Sequence, residues 1–583
     1  MNYFDEYLKK HNLTRESLKT YFEYDPDSVL RASYTFAHKL HEIDKNARIV
    51  VFSDYDCDGL MSGIVAYAGL HLLGFKNLML ADRVVSEGYS FTVDMAKDII
   101  LKYQPELVIT CDVGITANAA VNYLHDNGIK VFVTDHHKTD EETIKDLKAD
   151  VIVDYVLDED FIMGDIDICG AVTIYECLRA YLNVYLTEYN SLIVDDMCLL
   201  EHFAAVATLS DSMPVLGSNR ERIINMMGYF NYLISSNIEG FEIRHSNDPF
   251  IQKLFTNLCA VFSVLCNEYY TGVDEDFMNF SVIPVINSIK RMNGSVADFY
   301  HMFLFATKQE AVYYAKRLSE LNTVRKEKTA EVFDEVFTRH EDQIFDDTIY
   351  TTDEFPGLYG LVAQQIMSVT GQPTVVMNAT ALEDEDGFYY AGSVRSPQWF
   401  AFHTLVNESG YAKCAGHETS CGVMIRIEDI YEFYNFLRKN INEVLANIVP
   451  SIPDPFSAKI ESYDIFMDLS EDFYETLHDI HEFMYDCKHY GPFGMGFPAP
   501  TICIKVHKNN CSIEGLKYDQ DKGEYQHTKV KLGLQFQALL WNVSPKEVED
   551  SMIGDYYYFE GKYRYSYFQD LRNTDFVANL FIV

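Results

Sequence analysis

Residues 48–59 read RIVVFSDYDCDG: an apolar, β-branched run, Ile49 to Phe52, breaking into Asp54, Asp56 and Asp58 before Gly59. Such a run closed by a turn reads as a buried strand. Carboxylates packed this closely repel one another unless water or cations separate them, so the end of the strand is either a solvated acidic turn or a metal loop. An EF-hand is a poor description. It requires a preceding helix and a Glu at loop position 12, whereas here a strand precedes and that position is Val65.

Working outward, the same construction recurs in PELVITCDVG (105–114), IKVFVTDHHK (129–138) and ADVIVDYVLD (149–158), with helix-like LMSGIVAYAGLHLLG (60–74) and TANAAVNYLHDNG (116–128) between. Alternating strands and helices imply a parallel sheet with helices on both faces. In such sheets ligands bind beyond the carboxyl ends of the strands, where these acidic tips lie. A lone Asp at a strand tip, such as Asp112, is most often a helix cap. Asp135-His136-His137 is a stronger signal, because imidazole with carboxylates suits manganese, iron or zinc, and carboxylate-rich sites suit magnesium and manganese. Asp211, in Thr208–Pro214, follows a further apolar stretch. Together these tips offer enough ligands for two divalent ions sharing one carboxylate.

The 583 residues carry 47 basic and 88 acidic side chains, a net charge of −41. That balance argues against a general nucleic-acid coat or a polybasic membrane binder, while leaving room for a local basic groove or an acidic metal site. The length suggests roughly three to five domains. No apolar run is long enough to span a bilayer, and MNYFDEYLKKHNLTRESLKTYFEYD lacks the order of a signal peptide. Twelve cysteines without a CxxC pair fit a reduced, cytoplasmic setting.

Residues 190–300 read as mostly helical. QEAVYYAKRLSELNTVRKEKTAEVFDEVFTRHEDQ (309–343) lacks Gly and Pro and predicts one long helix joining two lobes. A second α/β unit follows, with strands PTVVMNA (373–379) and GFYYAGSV (387–394) and the Gly-rich GYAKCAGHETSCGVMI (410–425). Beyond the Pro-marked boundary near residue 453 come PTICIKVH, TKVKLGLQFQALLW and DYYYFEGKYRYSYF, the alternation of a small all-β barrel. Its Lys529-Val530-Lys531 and Lys562-Tyr563-Arg564-Tyr565 read equally as a single-strand platform or as ordinary barrel exterior.

The ordered set DYDCDG, the Asp112 tip, DHH and Asp211 resembles the four motifs of the DHH phosphoesterase superfamily, closest to its RecJ-type single-stranded-DNA-specific exonucleases. Further likenesses run down the chain. Arg83 with Glu87-Gly88-Tyr89 resembles the R…EGYG segment, Pro284–Met292 the PxxNAxGRM stretch, and Leu321–Arg325 the LNxxR of the connecting helix. Gly360–Ala363 is similar to the GIVAS turn, Ser393–Ser396 to SxRS, Ala415-Gly416-His417 to GGH, and Tyr490–Gly494 to the PFG entry of an oligonucleotide-binding barrel. Three positions depart: Ala415 and Lys290 stand where the family has Gly, and Asp154-Tyr155 where it has Asn-Pro. None removes a ligand, so an active enzyme is expected.

The resemblance implies a DHH catalytic domain at 1–305, a connecting helix at 306–345, a smaller α/β DHH-associated domain at 346–452 and an OB-like barrel at 453–583. It implies two divalent ions, Mn2+ or Mg2+, with Asp54, Asp56 and Asp112 on one and Asp58, Asp112, His136 and Asp211 on the other. His137 would face the scissile phosphate, with Asp135 behind an imidazole. Arg395, Ser396, Gly416 and His417, with Asn287 and Arg291, would bind the strand. The expected activity is 5′→3′ hydrolysis of single-stranded DNA to 5′-mononucleotides in DNA repair and recombination. A phosphodiesterase for nanoRNA or cyclic dinucleotides and a non-catalytic replication scaffold are the alternatives. A monomer is expected, with no membrane association and with a single-strand-binding protein or helicase as candidate partner.

Overall fold

The computed structural model describes residues 2–19, 30–82, 91–139, 141–157, 166–186, 191–238, 246–265, 272–340, 348–384, 387–397, 399–448, 463–470, 473–519, 523–532, 536–541, 543–564 and 575–580. The Arg83 and Glu87–Tyr89 segment and the boundary near residue 453 lie outside them.

The first sheet is parallel, ordered β2-β1-β3-β4-β5, with β1 Arg48–Ser53, β2 Asn77–Leu80, β3 Leu107–Cys111, β4 Lys130–Thr134 and β5 Val151–Val153. The four expected strands are there. Edge strand β2, four residues long and half-exposed, is too short and weakly apolar to be read from the sequence. Helix Cys57–Leu72 is buried along nearly its whole length, which explains why its sequence is apolar on every side rather than on one stripe. Helices Gly170–Tyr185 and Ser191–Ser210 cover that face, and the described residues of 190–300 are largely helical, as the sequence suggests.

Helix Lys308–Arg339 is a single 32-residue element opened by a Thr307–Glu310 capping box. It leads to a six-stranded sheet, ordered β10-β11-β9-β7-β6 with β8 on β9: β6 Ile349–Thr351, β7 Thr374–Met377, β8 Leu382–Asp384, β9 Gly387–Arg395, β10 Ala412–His417 and β11 Ser420–Arg426. The Gly-rich stretch 410–425 is the β10–β11 hairpin, with Gly416 at φ +130°.

A third sheet has seven strands, ordered β12-β13-β17-β18-β16-β15-β14: β12 Ile465–Asp468, β13 Thr501–His507, β14 Cys511–Asp519, β15 Glu524–Leu532, β16 Phe536–Leu540, β17 Tyr556–Arg564 and β18 Asp575–Leu580. It is mixed: β12–β13 and β16–β18 run parallel. Among the described residues its pairing runs as one path from β12 to β14. Helix Phe473–Tyr490 adds to its core.

One assignment needs correction. The N-terminal helix Tyr3–Lys10, expected to open the catalytic domain, packs Phe4, Tyr7 and Leu8 into the C-terminal core beside Phe483 and Phe497. Arg15 clamps Asp486 with its two terminal guanidinium nitrogens, at 3.1 and 2.7 Å. Buried Arg220 ties this assembly to the first lobe, donating to the carbonyls of Leu18, Tyr490, Gly491 and Pro492. Arg220→Met should therefore strand several buried carbonyls and lose at least about 3 kcal/mol of stability in urea unfolding. An unchanged midpoint would show that the staple is dispensable.

Candidate metal centre

Register builds the site. Ser53 pairs with Cys111, Cys111 with Thr134 and Thr134 with Val153, so the next residues, Asp54, Asp112, Asp135 and Asp154, stand abreast along the sheet's carboxyl edge. The chain turns sharply there. Asp56 caps helix Cys57–Leu72 by accepting from Gly59 N at 3.2 Å. A Cβ on Gly59 would lie 2.3 Å from Asp54 O, so only glycine lets the loop close. Asp112 sits at φ +59°, a left-handed conformation that a non-glycine residue adopts only under constraint.

The expected ligands converge in two groups, Asp54–Asp56–Asp112 and Asp58–His136–Asp211, with Asp112, His136 and His137 forming a third, overlapping set. His136, 4% exposed, places Nε2 3.1 Å from Asp112 Oδ1, 3.5 Å from Asp211 Oδ2 and 3.6 Å from Asp58 Oδ2. Asp211 comes from outside the sheet, just past helix Ser191–Ser210.

Burial and the like charges of Asp58, Asp56 and Asp54 push the Asp112 carboxyl well up, and burial with Asp211 and Asp56 raises Asp58. Asp112 Oδ1 is buried without a hydrogen bond among the described residues; the close His136 nitrogen is misaligned for one. An orphaned carboxylate oxygen in a crowd of like charges and an imidazole is the environment that a divalent cation relieves. The donor set, oxygens with one or two imidazoles, suits Mn2+ or Mg2+.

Residues that the sequence did not single out hold this arrangement. Helix Gly170–Tyr185 points its N-terminus at Asp58, with Gly170 N 2.8 Å from Oδ2 and Ala171 N 2.9 Å from Oδ1. A helix N-terminus favours a carboxylate there. A Cβ on Gly170 would meet Asp112 Cβ at 2.5 Å. Ser53 Oγ bonds Tyr300 OH at 2.6 Å beneath the loop. Only the sequence separation hid these contacts.

Asp135 serves His137. Its Oδ1 accepts from His137 Nδ1 at 2.7 Å and from His136 N at 2.8 Å, and its Oδ2 from Ile115 N at 3.0 Å. Burial would raise its carboxyl, but both histidines and the Ile115 N–H outweigh that and bring it to about 2. Burial likewise lowers His137, and Asp135 overcomes it, raising the imidazole to about 10. His137 is 45% exposed at the side chain, whereas His136 is buried, so adjacent residues face opposite surroundings. Asp154, at the fourth tip, is pushed up to about 7 by burial and Asp135.

Lys290 enters the same edge. Its Nζ lies 3.0 Å from Asp54 Oδ2 and 3.0 Å from Asp56 Oδ2. Burial opposes its charge, but Asp54 and Asp56 raise it well above the usual lysine range. Asn287 does not extend its carbonyl end to a substrate: Oδ1 accepts from Cys57 N at 2.8 Å and braces the DYDCDG loop. Arg291 lends its backbone to the second lobe, since a Cβ on Gly357 would meet Arg291 O at 2.5 Å.

In the second lobe, against the pull of burial, Thr404 and His403 hold the Glu418 carboxyl low, with a smaller contribution from Lys138. Arg395 is half-buried, bonds Val394 O at 2.7 Å, and has no carboxylate partner among the described residues. Its guanidinium lies where Gly360 leaves room: a Cβ there would be 2.8 Å from Nη2. Ser396 is a correction. It is 5% exposed and its hydroxyl donates to Phe400 O at 2.8 Å, so it shapes the turn and offers no donor outward. Gly416 closes the hairpin, and the His417 side chain lies outside the described residues. In the third sheet Lys529 and Lys531 both reach Glu514, at 3.4 and 2.9 Å, as ordinary exterior residues do, and the side chains of 562–565 also lie outside.

Known proteins share this fold. Residues 48–200 match the DHH family, N-terminal domain. The single-stranded-DNA-specific exonuclease RecJ of Bacillus subtilis is 22% identical over 488 residues, 83% of this chain and 55% of that protein. The chain thus spans little more than half of that relative. The Haemophilus influenzae RecJ is 23% identical over 428 residues, 68% of this chain and 67% of its own length. The Mn2+ complex of RecJ from Thermus thermophilus superposes with a TM-score of 0.68 at 17% identity, covering 99% of this chain and 74% of that one. A Mg2+ complex of the same protein gives 0.62. Among the described residues no helix is long and apolar enough to cross a membrane.

The packing of Gly170 on Asp112 is testable. Gly170→Ala should displace Asp112 and weaken Mn2+ binding about tenfold or more by titration calorimetry, with the circular dichroism unchanged. Unaltered affinity would mean that the Asp112 position tolerates the shift.

Proposed function

We propose that this RecJ-like DHH protein is a divalent-metal-dependent exonuclease that hydrolyses single-stranded DNA 5′→3′ to 5′-mononucleotides, in DNA repair or recombination. The observation that carries the reading is the convergence of in-register carboxylates and His136 at one sheet edge. The named activity of relatives matching along most of the chain supports the polymer substrate.

In this reading Asp58, Asp112, His136 and Asp211 would hold one ion, and Asp54 and Asp56, with Asp112, would hold a second. A divalent ion bound there supplies an acidified water and offsets charge on the phosphoryl oxygens. The chain's own groups do the rest. Asp135 accepts the Nδ1 proton of His137, which fixes the ring and leaves Nε2 as its outward donor. Asp135 favours the charged form of His137, which in that form meets a phosphate oxygen as a donor. Arg395, with no carboxylate to neutralise it among the described residues, grips a neighbouring phosphate across the cleft. Asp58 keeps its orientation through the Gly170 and Ala171 N–H groups, which leave its remaining lone pairs for metal.

Digestion of 5′- and 3′-labelled single- and double-stranded DNA with Mn2+ tests this. Asp112→Ala should abolish cleavage. Arg395→Ala should weaken strand binding by about 1.5–3 kcal/mol, roughly ten- to a hundredfold, with metal content unchanged. Equal rates on long strands and dinucleotides, or undiminished DNA affinity in Arg395→Ala, would defeat the proposal.

A further inference from the structure

Two groups of acidic ligands flank Asp112, and they are not equivalent. Asp58 is held by the neutral N–H groups of Gly170 and Ala171 beside the His136 ring, whereas Lys290 brings a full positive charge directly into the Asp54–Asp56 pair. Its ammonium lies 3.0 Å from one oxygen of each carboxylate and 5.1 Å from the centroid of the Tyr55 ring, which is itself buried. The contact is braced from both ends. Asn287, immediately before the short helix Ser288–Arg291, accepts from Cys57 N at 2.8 Å. On the other side Gly357 packs against Arg291 O, so the turn carrying Lys290 is clamped between the acidic loop and the second lobe.

An ammonium and a divalent ion ask for the same thing, oxygens converging on a point of positive charge. The ammonium makes N–H···O contacts near 3 Å, while Mg2+ demands oxygens at about 2.0–2.1 Å. Both cannot take the same Oδ2 atoms of Asp54 and Asp56. An ion bound to those two oxygens would lie within a few ångströms of Nζ, where like charges repel strongly.

We propose that Lys290 is an internal competitor for one of the two divalent ions: its ammonium holds the position between Asp54 and Asp56, and an ion enters there only by displacing it. At the Asp58–Asp112–His136–Asp211 position Asp58 is oriented by backbone N–H groups rather than by an ammonium, so the centre fills in a fixed order, that position first. The lysine then makes occupancy of the second position depend on the free-ion concentration. This inference rests on the metal centre of the proposed function and adds the order of its filling.

The test is Mn2+ titration of the metal-stripped full chain by calorimetry and electron paramagnetic resonance, comparing wild type, Lys290→Ala and Lys290→Met. Wild type should bind in two steps separated by about a hundredfold or more in affinity. Lys290→Ala should tighten the second step about tenfold or more and leave the first unchanged. A dipolar-coupled Mn2+ pair, about 3.5–4 Å apart, should then appear at concentrations where wild type shows isolated Mn2+. Lys290→Met retains most of the side chain's bulk without its charge and should behave like Lys290→Ala, because charge rather than volume excludes the ion. Should the alanine variant fail to fold, the methionine variant and the wild-type isotherm still decide.

Two equal steps in wild type, an unchanged second step in both variants, or variants that bind a single ion at every concentration would each overturn the proposal. None of these readouts uses DNA. A chain that fills in this order but fails to cleave single strands would refute the exonuclease reading alone.

Discussion

The constraint on which the rest depends is the common register of four parallel strands. Because Ser53, Cys111, Thr134 and Val153 end in step, the chain sets Asp54, Asp112, Asp135 and Asp154 side by side at one edge. Two carboxylates about 4 Å apart repel by about 4 kcal/mol even at an effective dielectric constant of about 20. The edge is therefore built to be unstable without compensation. Each compensating group is a recognisable physical device: helix N–H groups on Asp58, two histidines and a backbone N–H on Asp135, an ammonium on Asp54 and Asp56. Asp112 receives none of comparable strength among the described residues, which is why it is the natural meeting point for cations.

The two adjacent histidines show how the end of one strand divides labour. Leaving β4, the chain sends His136 inward among carboxylates and His137 outward. Asp135 binds the backbone N–H of the first and the ring of the second, so one carboxylate sets the conformation of both. A hydrogen-bonded anion behind a half-exposed imidazole fixes both its tautomer and its charge. The inward ring, by contrast, can take a metal only through an unprotonated nitrogen, so ions and protons compete for it.

What could be read in the sequence follows from how local each signal is. An apolar run ending in Asp is complete within about ten residues, so β1, β3, β4 and β5 and their tips were legible, as was the long helix with its unbroken run of helix formers. Strands β2, β12, β14 and β18 were not, being short, at a sheet edge or outside clear alternation. The supports of the site were hidden for a different reason. Gly170 matters because of Asp112, far away in the chain, and Asn287 because of Cys57, so neither carries a pattern of its own. Ser396 misled because a motif letter does not say which way a hydroxyl points. Lys290 was visible as a departure from the family's Gly, but its two carboxylate partners were not. The place of the N-terminal helix depends on contacts with the opposite end of the chain, beyond any local reading.

The C-terminal sheet invites attention for the strand it could hold, yet its firmest contacts lie elsewhere. Asp211 is the one candidate ligand that the first sheet does not position. It follows the end of helix Ser191–Ser210, and the turn beyond it leads to Val215, whose N–H donates to Met495 O at 2.8 Å. A Cβ on Gly494 would come within 2.4 Å of a Val215 methyl, so the glycine of the Pro492-Phe493-Gly494 turn is needed for that turn to seat against the Asp211 loop. Arg220, a few residues further, holds the same turn through three consecutive carbonyls. A ligand on a helix end has none of the register that fixes its partners on strands, so its precision must come from what packs behind it. The C-terminal region is thus part of the metal centre's support, independently of any nucleic acid it touches.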